Sequence, residues 1–265
     1  MEKEILTMEE AAELFGVSIK TFIKLLKEEK IPARKIGREW RFSRTALIQW
    51  LSTGDSQAYS SSDADAREFF NEVAPSWEEI RKSYYDESIK NKILDMGILK
   101  KDMTVVDLGA GDGYITRSIA ESVAKVVAVD ISHEMLKELQ ERAVKSGLKN
   151  IDTLECDGQD VPVQDATFDI AFANMYLHHF EQPETAVKEM SRIVKKHGVV
   201  FLADFYEHND SDMMKRMHDV WPGFNPEEIK KWFLKSGFKN IKLEDLKGKK
   251  TTKNAPGIFI ITAYK

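Results

Sequence analysis

The chain has 265 residues, a formal net charge of −5 and one cysteine, Cys156. Its acidic balance disfavours a protein that coats nucleic acid along its whole surface, and a single thiol excludes internal disulfides and multi-thiolate metal sites. No apolar run approaches a membrane span, and the first residues lack the apolar core of a signal peptide. We therefore expect a cytoplasmic protein without a membrane partner, built from one large domain or a large and a small one.

The first 51 residues predict a small domain of three helices and a hairpin. The helices are expected over residues 8–15, 19–29 and 44–51. Three polar residues are placed to cap them: Thr7, Ser18 and Ser43. The stretch ARKIGREWRF has the pattern of a tight hairpin, with Gly37 and Arg38 at its turn.

The opening LT-x-x-E-A-A-x-x-x-G-V-S and the wing G-R-x-W-R-F resemble the excisionase/MerR-like winged helix-turn-helix family over residues 5–51. The resemblance implies that the second helix faces the major groove of DNA with Ser18, Lys20, Thr21 and Lys24. It also implies that the wing meets phosphate or the minor groove with Arg34, Lys35, Arg38 and Arg41.

The charge of this head gives little electrostatic affinity for DNA. Residues 1–54 contain ten basic and eight acidic residues, whereas the rest of the chain contains 29 and 36. Useful affinity from so small a positive excess needs a homodimer on paired half-sites. The alternative is a domain retained for protein contacts or dimerisation.

Residues 52–63, STGDSQAYSSSD, lack apolar periodicity and predict a flexible linker to a body over residues 64–265. The body opens with helical, aromatic-rich sequence to about Met96, and strands then alternate with helices. Strands are expected at 104–110, 125–131, 151–157, 168–177, 199–205, 239–246 and 257–265. Helices are expected at 114–123, 133–146, 183–196 and from Asn225 onward. Repeated β-α-β units predict an α/β fold with a parallel sheet covered on both faces.

The most informative motif is the loop Asp107-Leu-Gly109-Ala-Gly111-Asp-Gly113, which follows a predicted strand and opens a helix. Glycines there let the backbone pass close to a ligand. An acid at the end of the next strand, Asp130, is placed to accept hydrogen bonds from ribose hydroxyls. The third glycine of a NAD fingerprint would fall at Tyr114. The preceding acid, Asp107, instead suits S-adenosylmethionine, which carries an ammonium group and no phosphate.

Three further stretches carry a family pattern: AVDISHEML, CDGQDVPVQDATFDIAFANMYLHHF and KEMSRIVKKHGVVFLADF. Together with VVDLGAGDGYITRSIA they resemble the class I methyltransferases, in the small-molecule branch that includes quinone-biosynthesis enzymes. The resemblance implies a Rossmann-like seven-stranded sheet and S-adenosyl-L-methionine as the cofactor. The residues it assigns to that cofactor are Asp107, Gly109 and Gly111 at the amino-acid end, Asp130 at the ribose, Ile131, Met135, Asp157 and Gly158 at the adenine, and Asn174 beside the methionine moiety.

The methyl acceptor is constrained by motifs that are missing. The stretch Asn174-Met175-Tyr176-Leu177 has none of the prolines that adenine methyltransferases carry there. Cys156 follows a glutamate, whereas cytosine-C5 enzymes need a Pro-Cys nucleophile, and one cysteine argues against arsenic methylation. Direct methylation of DNA is therefore disfavoured, and we expect a small-molecule acceptor whose identity stays open.

No residue is compelled to be catalytic, because displacement at a sulfonium can proceed by positioning alone. The candidates for a base are Tyr85, His178, His208 and His218. His178 and His179 directly follow the strand predicted to residue 177. If the strand geometry continues through them, the two neighbours point to opposite faces and cannot easily share a metal, so no metal is predicted.

Residues 205–237 are expected to cap the acceptor pocket, with a methionine stripe packed inward. Their His-Asp step and Trp-x-Gly-Phe run resemble methyltransferases fused to metalloregulator-type DNA-binding domains. A metal or base role for His208, Asp210 and His218 therefore stays open. Aromatic residues ahead of the glycine loop are expected to form a lid over the cofactor: Trp77, Tyr84 and Tyr85.

The leading interpretation is an enzyme, a small-molecule methyltransferase tethered to a DNA-binding head that regulates transcription. One alternative is a transcription regulator that binds S-adenosylmethionine as a signal and has little turnover. Another is a catalytic body whose head only mediates association.

Overall fold

The computed structural model describes residues 3–28, 31–37, 39–53, 61–246 and 256–265. The chain divides into two compact units, Met1–Ala64 and Asp65–Lys265. Arg38 and most of the expected linker, residues 54–60, lie outside the described residues.

The head combines a small antiparallel sheet with three helices. Its strands are β1 (Ile5–Leu6), β2 (Arg34–Ile36) and β3 (Glu39–Ser43), in the order β1-β3-β2. Its helices are α1 (Met8–Leu14), α2 (Ile19–Glu28) and α3 (Arg44–Thr53). Thr7 caps α1 in a capping box with Glu10, as the sequence predicts for this position. Phe22 and Phe42 are buried edge to face at 5.1 Å between ring centroids, and they hold α2 against the hairpin.

The body is built on a seven-stranded sheet in the order β6-β5-β4-β7-β8-β10-β9. The strands are β4 (Thr104–Leu108), β5 (Lys125–Asp130), β6 (Ile151–Glu155), β7 (Phe168–Asn174), β8 (Val194–Phe205), β9 (Lys239–Asp245) and β10 (Ile258–Tyr264). The five strands from β6 to β8 are parallel, as predicted. The expectation of a wholly parallel sheet is wrong for one strand, because β10 enters between β8 and β9 and runs antiparallel to both, while β9 keeps the direction of β8.

Helices cover both faces of this sheet. They are α4 (Ser61–Val73), α5 (Trp77–Lys82), α6 (Ser88–Asp95), α7 (Tyr114–Ile119), α8 (His133–Lys145), α9 (Pro183–Ile193), α10 (Ser211–Met217) and α11 (Pro226–Lys235). One buried layer contains Phe233 and Phe259, and the other contains Ile89, Ile115 and Phe201. Among the described residues, no helix is both long enough and apolar enough to cross a membrane.

Two predicted elements near the site are wrong in their bounds. Helix α9 ends three residues before the predicted residue 196, because Val194 already pairs with Phe168 in the sheet. Strand β7 ends at Asn174, and residues Leu177–His179 form a 3-10 helix instead of continuing the strand.

Candidate active site

The glycine loop leaves β4 and enters α7 through left-handed backbone. Gly109, Gly111 and Gly113 have φ of +67°, +53° and +85°, a region that disfavours residues with a Cβ. A Cβ on Gly109 would lie 2.6 Å from Cδ2 of Tyr176, and one on Gly111 would lie 3.3 Å from Nε1 of Trp77. Glycine is thus required here both by conformation and by the aromatic side chains packed on the loop.

Asp130 holds this loop against the end of β5. Its Oδ2 accepts a hydrogen bond from the Gly111 N–H at 2.8 Å, and its Oδ1 accepts one from the Ser132 N–H at 2.9 Å. Burial raises the pKa of the Asp130 carboxyl, although the backbone donors oppose the shift. Since a carboxylate oxygen carries two lone pairs, each oxygen can accept a further bond from a ribose hydroxyl.

Asp107 is fully buried inside β4. Its Oδ2 accepts hydrogen bonds from the N–H and the hydroxyl of Thr116, at 3.0 and 2.6 Å. Burial raises the pKa of this carboxyl to about 7 against the effect of those donors. A cation placed beside it would favour the ionised form, because opposite charge lowers the pKa of an acid.

Asn174 ends β7 beside the loop. Its Nδ2 donates to the Tyr85 hydroxyl at 3.1 Å, while its Oδ1 is buried without a hydrogen-bond partner in the described part of the chain. Tyr176, which the sequence analysis does not select, lies across the loop, and a Cβ on Gly158 would lie 1.9 Å from its hydroxyl. The sequence offers one signal for Tyr176: it is an aromatic residue two positions after β7, the strand that pairs with the strand leading into the glycine loop.

The residues predicted for the adenine lie past β5 and β6. Asp130 and Glu155 are neighbours in register, so both strands end at one edge of the sheet. Met135 is buried in the first turn of α8, and Ile131 is half-buried. Asp157 accepts a bond from the Gln159 N–H at 2.9 Å. The structure thus brings the adenine residues to the edge that carries Asp130.

The helices ahead of β4 cover the glycine loop. Trp77 packs on Gly111, and Phe70 stands edge to face with Trp77 at 5.4 Å between centroids. Asn71 joins α4 to the start of α8, since its Oδ1 accepts from the Ser132 hydroxyl at 2.7 Å. Trp77 therefore lies on the loop and Tyr85 beside Asn174, and both Trp77 and Tyr84 also pack against the neighbouring cluster around Met213.

A buried arginine that the sequence analysis misses lies at this end of the site. The Arg81 guanidinium sits 3.8 Å from the centroid of the Tyr114 ring, at the start of α7. It reaches Glu87 at 3.5 Å, but its Nε and Nη1 are buried with no hydrogen-bond partner among the described residues. Two unpaired guanidinium donors beside the glycine loop suit a carboxylate ligand.

His178 and His179 lie together, not on opposite faces. Both belong to the 3-10 helix that follows β7, and their ring centroids are 4.2 Å apart. Successive residues in such a helix are about 120° apart, compared with 180° in a strand. The prediction that these two side chains point to opposite faces is therefore wrong, and with it the argument against a shared metal.

Two aspartates that the sequence analysis misses complete this cluster. Asp204 Oδ1 lies 2.6 Å from His178 Nδ1, and Asp219 Oδ1 lies 3.5 Å from both His178 Nε2 and His179 Nδ1. Asp204 is the one acid in the apolar strand segment VVFLADF, a signal that could have found it. Asp219 is the acid of the His-Asp step at His218-Asp219, but that step does not predict its partners, because Asp219 follows α10 and reaches the histidines only through the fold.

Charges in this cluster are strongly coupled. Desolvation lowers the pKa of His178, but the carboxylates of Asp204 and Asp219 outweigh it and raise that pKa to about 9. Burial and the neighbouring His178 hold the pKa of His179 well below its usual value. Burial raises the pKa of Asp219 to about 6. The environment therefore favours positive charge between the two aspartates.

The other two histidine candidates are placed differently. His208 Nδ1 accepts from the Asp210 N–H at 3.2 Å, and burial lowers its pKa. His218 is exposed at the end of α10 and stacks on Phe69 at 4.6 Å between centroids. Asp210 caps α10 through the Met213 N–H. Met213 and Met217 of α10 are buried as expected, whereas Met214 is half-buried. The two buried methionines pack with aromatic residues in a cluster that we call the apolar wall: Phe205, Met213, Met217, Phe69 and Tyr84.

The residues predicted to contact DNA lie mostly on the surface of the head. On α2 the exposed ones are Ser18, Lys20, Thr21 and Lys24. The Ser18 hydroxyl accepts from the Thr21 N–H at 3.1 Å, so it caps the helix as predicted. Arg34 and Lys35 are exposed on β2, whereas Arg41 is half-buried and paired with Glu39.

Known families match both units. Residues 106–202 match the family model of a methyltransferase domain. The body carries a methyltransferase domain. Residues 5–55 match a helix-turn-helix domain, which covers the head.

Curated relatives of the methyltransferase domain include an uncharacterized methyltransferase, YcgJ, of Bacillus subtilis. It is 29% identical over 133 residues, which cover 48% of this chain and 53% of the relative. The rice 2-methyl-6-phytyl-1,4-hydroquinone methyltransferase 2 is 28% identical over 62% of this chain and 47% of its own length. The chain thus spans about half the length of these relatives. The crystal structure of a SAM dependent methyltransferase from Aquifex aeolicus covers 76% of this chain and 97% of that one, with 21% identity and a TM-score of 0.56, which shows a shared fold.

A methyltransferase domain of this fold implies S-adenosylmethionine as the cofactor. The residues at the sheet edge fit that molecule. Asn174 Oδ1 and the Asp107 carboxyl can accept from an ammonium group. Nε and Nη1 of Arg81, which have no partner in the described part of the chain, can donate to a carboxylate. Asp130 can take the ribose, beside the left-handed glycine loop whose N–H of Gly111 it already binds.

Proposed function

We propose that this chain transfers the methyl group of S-adenosylmethionine to a small-molecule acceptor. The observation that carries the proposal is the meeting of the left-handed glycine loop, Asp130 and Asn174 at the carboxyl ends of adjacent parallel strands. Ligands of open α/β sheets bind at this edge. When bound, the cofactor supplies a methyl group on a positively charged sulfur, which is an electrophile.

In this proposal the chain binds and orients the cofactor and excludes water. Asp130 accepts from the ribose hydroxyls, while Asp107 and the Asn174 carbonyl oxygen accept from the ammonium group. Trp77 covers the glycine loop at Gly111 and excludes water from the bound cofactor. Holding two reactants in line can supply much of the acceleration for a displacement of this kind.

The acceptor we propose has an apolar body. The apolar wall combines Phe205 at the end of β8 and two methionines of α10 with Phe69 and Tyr84 from the segment ahead of β4, and Met175, just past the end of β7, packs against it. Methionine and aromatic side chains adapt to apolar rings and chains. The rice relative is named for a prenylated hydroquinone, which is consistent with an apolar acceptor that ends in a hydroxyl.

Calorimetry with S-adenosylmethionine and S-adenosylhomocysteine tests the cofactor assignment. We expect binding by the full chain and a large loss in Asp130→Asn. The control Asp152→Asn changes an exposed acid on β6 and should bind normally. Acceptor panels of phenols, quinols, amines and thiols should then release S-adenosylhomocysteine. Failure of the wild-type chain to bind either ligand would falsify the proposal.

We propose further that the head binds DNA, joined to the body through residues 52–63. The helix-turn-helix match supports DNA binding by the head. The second function that we consider adds to this that S-adenosylmethionine is a signal and that turnover is small. Fluorescence anisotropy with the upstream DNA of the chain's own gene, with and without the cofactor, separates the two. DNA affinity that changes with the cofactor, together with no product from any acceptor, favours the regulator.

A further inference from the structure

The cluster of His178, His179 and Asp219 has the composition of a metal site. Among the described residues, it is a group whose potential ligand atoms all lie within 4.8 Å of one another. Two imidazoles and one carboxylate suit divalent transition metals. The Nδ1 of His179 and the Oδ1 of Asp219 are buried with no hydrogen-bond partner in the described part of the chain, so both are available to an ion.

The spacing of these atoms favours tetrahedral coordination. Asp219 Oδ1 is 3.5 Å from each histidine nitrogen. Two ligands of a tetrahedral Zn²⁺, each about 2.0–2.1 Å from the ion, are about 3.4 Å apart. Neighbouring ligands of an octahedral ion at about 2.1 Å are only about 3.0 Å apart. The two distances from Asp219 Oδ1 therefore match edges of a zinc tetrahedron, and the two histidine nitrogens lie within 4.8 Å of each other.

Asp204 supplies the support that a metal-binding histidine needs. It faces His178 Nδ1 at 2.6 Å, which leaves Nε2 directed at Asp219. Histidines that bind metals commonly donate their other N–H to a carboxylate, which fixes the tautomer and the ring. The Asp204 oxygens also accept from the N–H groups of Leu177 and Phe205, so the carboxylate is itself held rigidly.

We propose that His178 Nε2, His179 Nδ1 and Asp219 bind a zinc ion, with Asp204 as the support of His178. Three protein ligands leave a fourth position open, which is the arrangement of catalytic rather than structural zinc. The site lies at the sheet edge that carries the glycine loop. His179 stands edge to face with Phe70, which in turn contacts Trp77 over Gly111.

The open position gives the ion a role that rests on the proposed function. It would hold the hydroxyl or thiol of the acceptor and favour loss of its proton to water, because a bound cation lowers the pKa of such groups. The acceptor oxygen or sulfur then bonds to the methyl carbon as the carbon–sulfur bond of the sulfonium breaks, and the electron pair stays on that sulfur.

Metal titrations of the untagged full chain test the site without any acceptor. After removal of metal with a chelator, we expect one Zn²⁺ per chain by calorimetry, and Co²⁺ should give the visible spectrum of a tetrahedral site. Asp204→Asn should lower zinc affinity by about 10–100-fold, and Asp219→Asn and His179→Asn should lower it further. The control His133→Ala removes an exposed histidine that pairs with Glu155, and its affinity should be unchanged.

Two results overturn the zinc site. One is a wild-type chain without stoichiometric Zn²⁺ and Co²⁺ binding, a test that does not depend on whether variants fold. The other is binding that Asp219→Asn and His133→Ala affect equally. If the chain binds S-adenosylmethionine but not zinc, the zinc site is refuted and the proposed function is unaffected. If it binds zinc but not S-adenosylmethionine, the proposed function is refuted and the zinc site is unaffected.

Discussion

Substitution of Asp107 by asparagine should stabilise the fold and weaken the proposed cofactor site at once. The carboxyl is buried, and its pKa of about 7 exceeds the ordinary 3.8. The folded state therefore binds the proton more tightly, and the stability that this group contributes falls as pH rises from about 4 to about 7. Asparagine has the same shape, can accept both bonds from Thr116, and carries no charge.

The gain in free energy of unfolding should therefore be larger at pH 8 than at pH 5. The two pH units between 5 and the folded pKa each contribute about 1.4 kcal/mol, so the difference is at most about 3 kcal/mol. Loss of a charge-assisted bond to the ammonium group, worth about 1.5–3 kcal/mol, should weaken S-adenosylmethionine binding by about 10–100-fold.

Urea unfolding at both pH values, followed by circular dichroism, measures the first effect, and calorimetry measures the second. Asp152→Asn, on the exposed side of β6, should change neither by much. If Asp107→Asn destabilises the body, or shifts its stability equally at pH 5 and pH 8, then the cost assigned to the buried carboxylate is wrong.

Three more changes probe the loop, the lid and the head. Gly109→Ala should lower the free energy of unfolding by more than the about 1 kcal/mol of a left-handed alanine, and it should abolish cofactor binding in calorimetry. The control is Gly147→Ala, at another left-handed glycine where an added Cβ meets no described atom within 4 Å. It should lose only that about 1 kcal/mol and bind the cofactor normally. Tyr85→Phe should raise the Kd for S-adenosylmethionine roughly 3–10-fold, since one neutral hydrogen bond is worth about 1 kcal/mol, and an unchanged Kd would remove this hydroxyl from the site. Lys20→Ala should reduce the slope of log K for DNA against log salt by about 1, while Lys137→Ala on the body should leave it unchanged.

Features set by local sequence are predictable here. The caps at Thr7, Ser18 and Ser43 form as expected, because a short polar side chain satisfies backbone donors within three residues of itself. The glycine loop and the acid that ends the next strand also follow from neighbouring residues, since spacing along β4 and β5 determines where they emerge. Local patterns of this kind account for most of the strands that the sequence predicts.

Features set by distant contacts are not predictable in this way. The stretch after Ile193 continues a helical pattern, yet pairing of Val194 with Phe168 draws it into β8. The direction of β10 depends on its insertion between two strands, which its own residues do not encode. The histidine cluster needs Asp204 and Asp219, which lie 26 residues from His178 and 41 residues from it in the sequence.

The hydrogen bond between His178 and Asp204 joins a residue inside the matched methyltransferase region to one outside it. The methyltransferase family model ends at residue 202, so it includes the histidine and stops just short of its partner. The aromatic lid, Asp219 and the apolar wall also lie outside residues 106–202. Similarity to that model therefore supports the glycine loop, Asp130 and Asn174 of the proposed cofactor site, whereas roles for Arg81, Asp219 and the apolar wall need evidence beyond the family match.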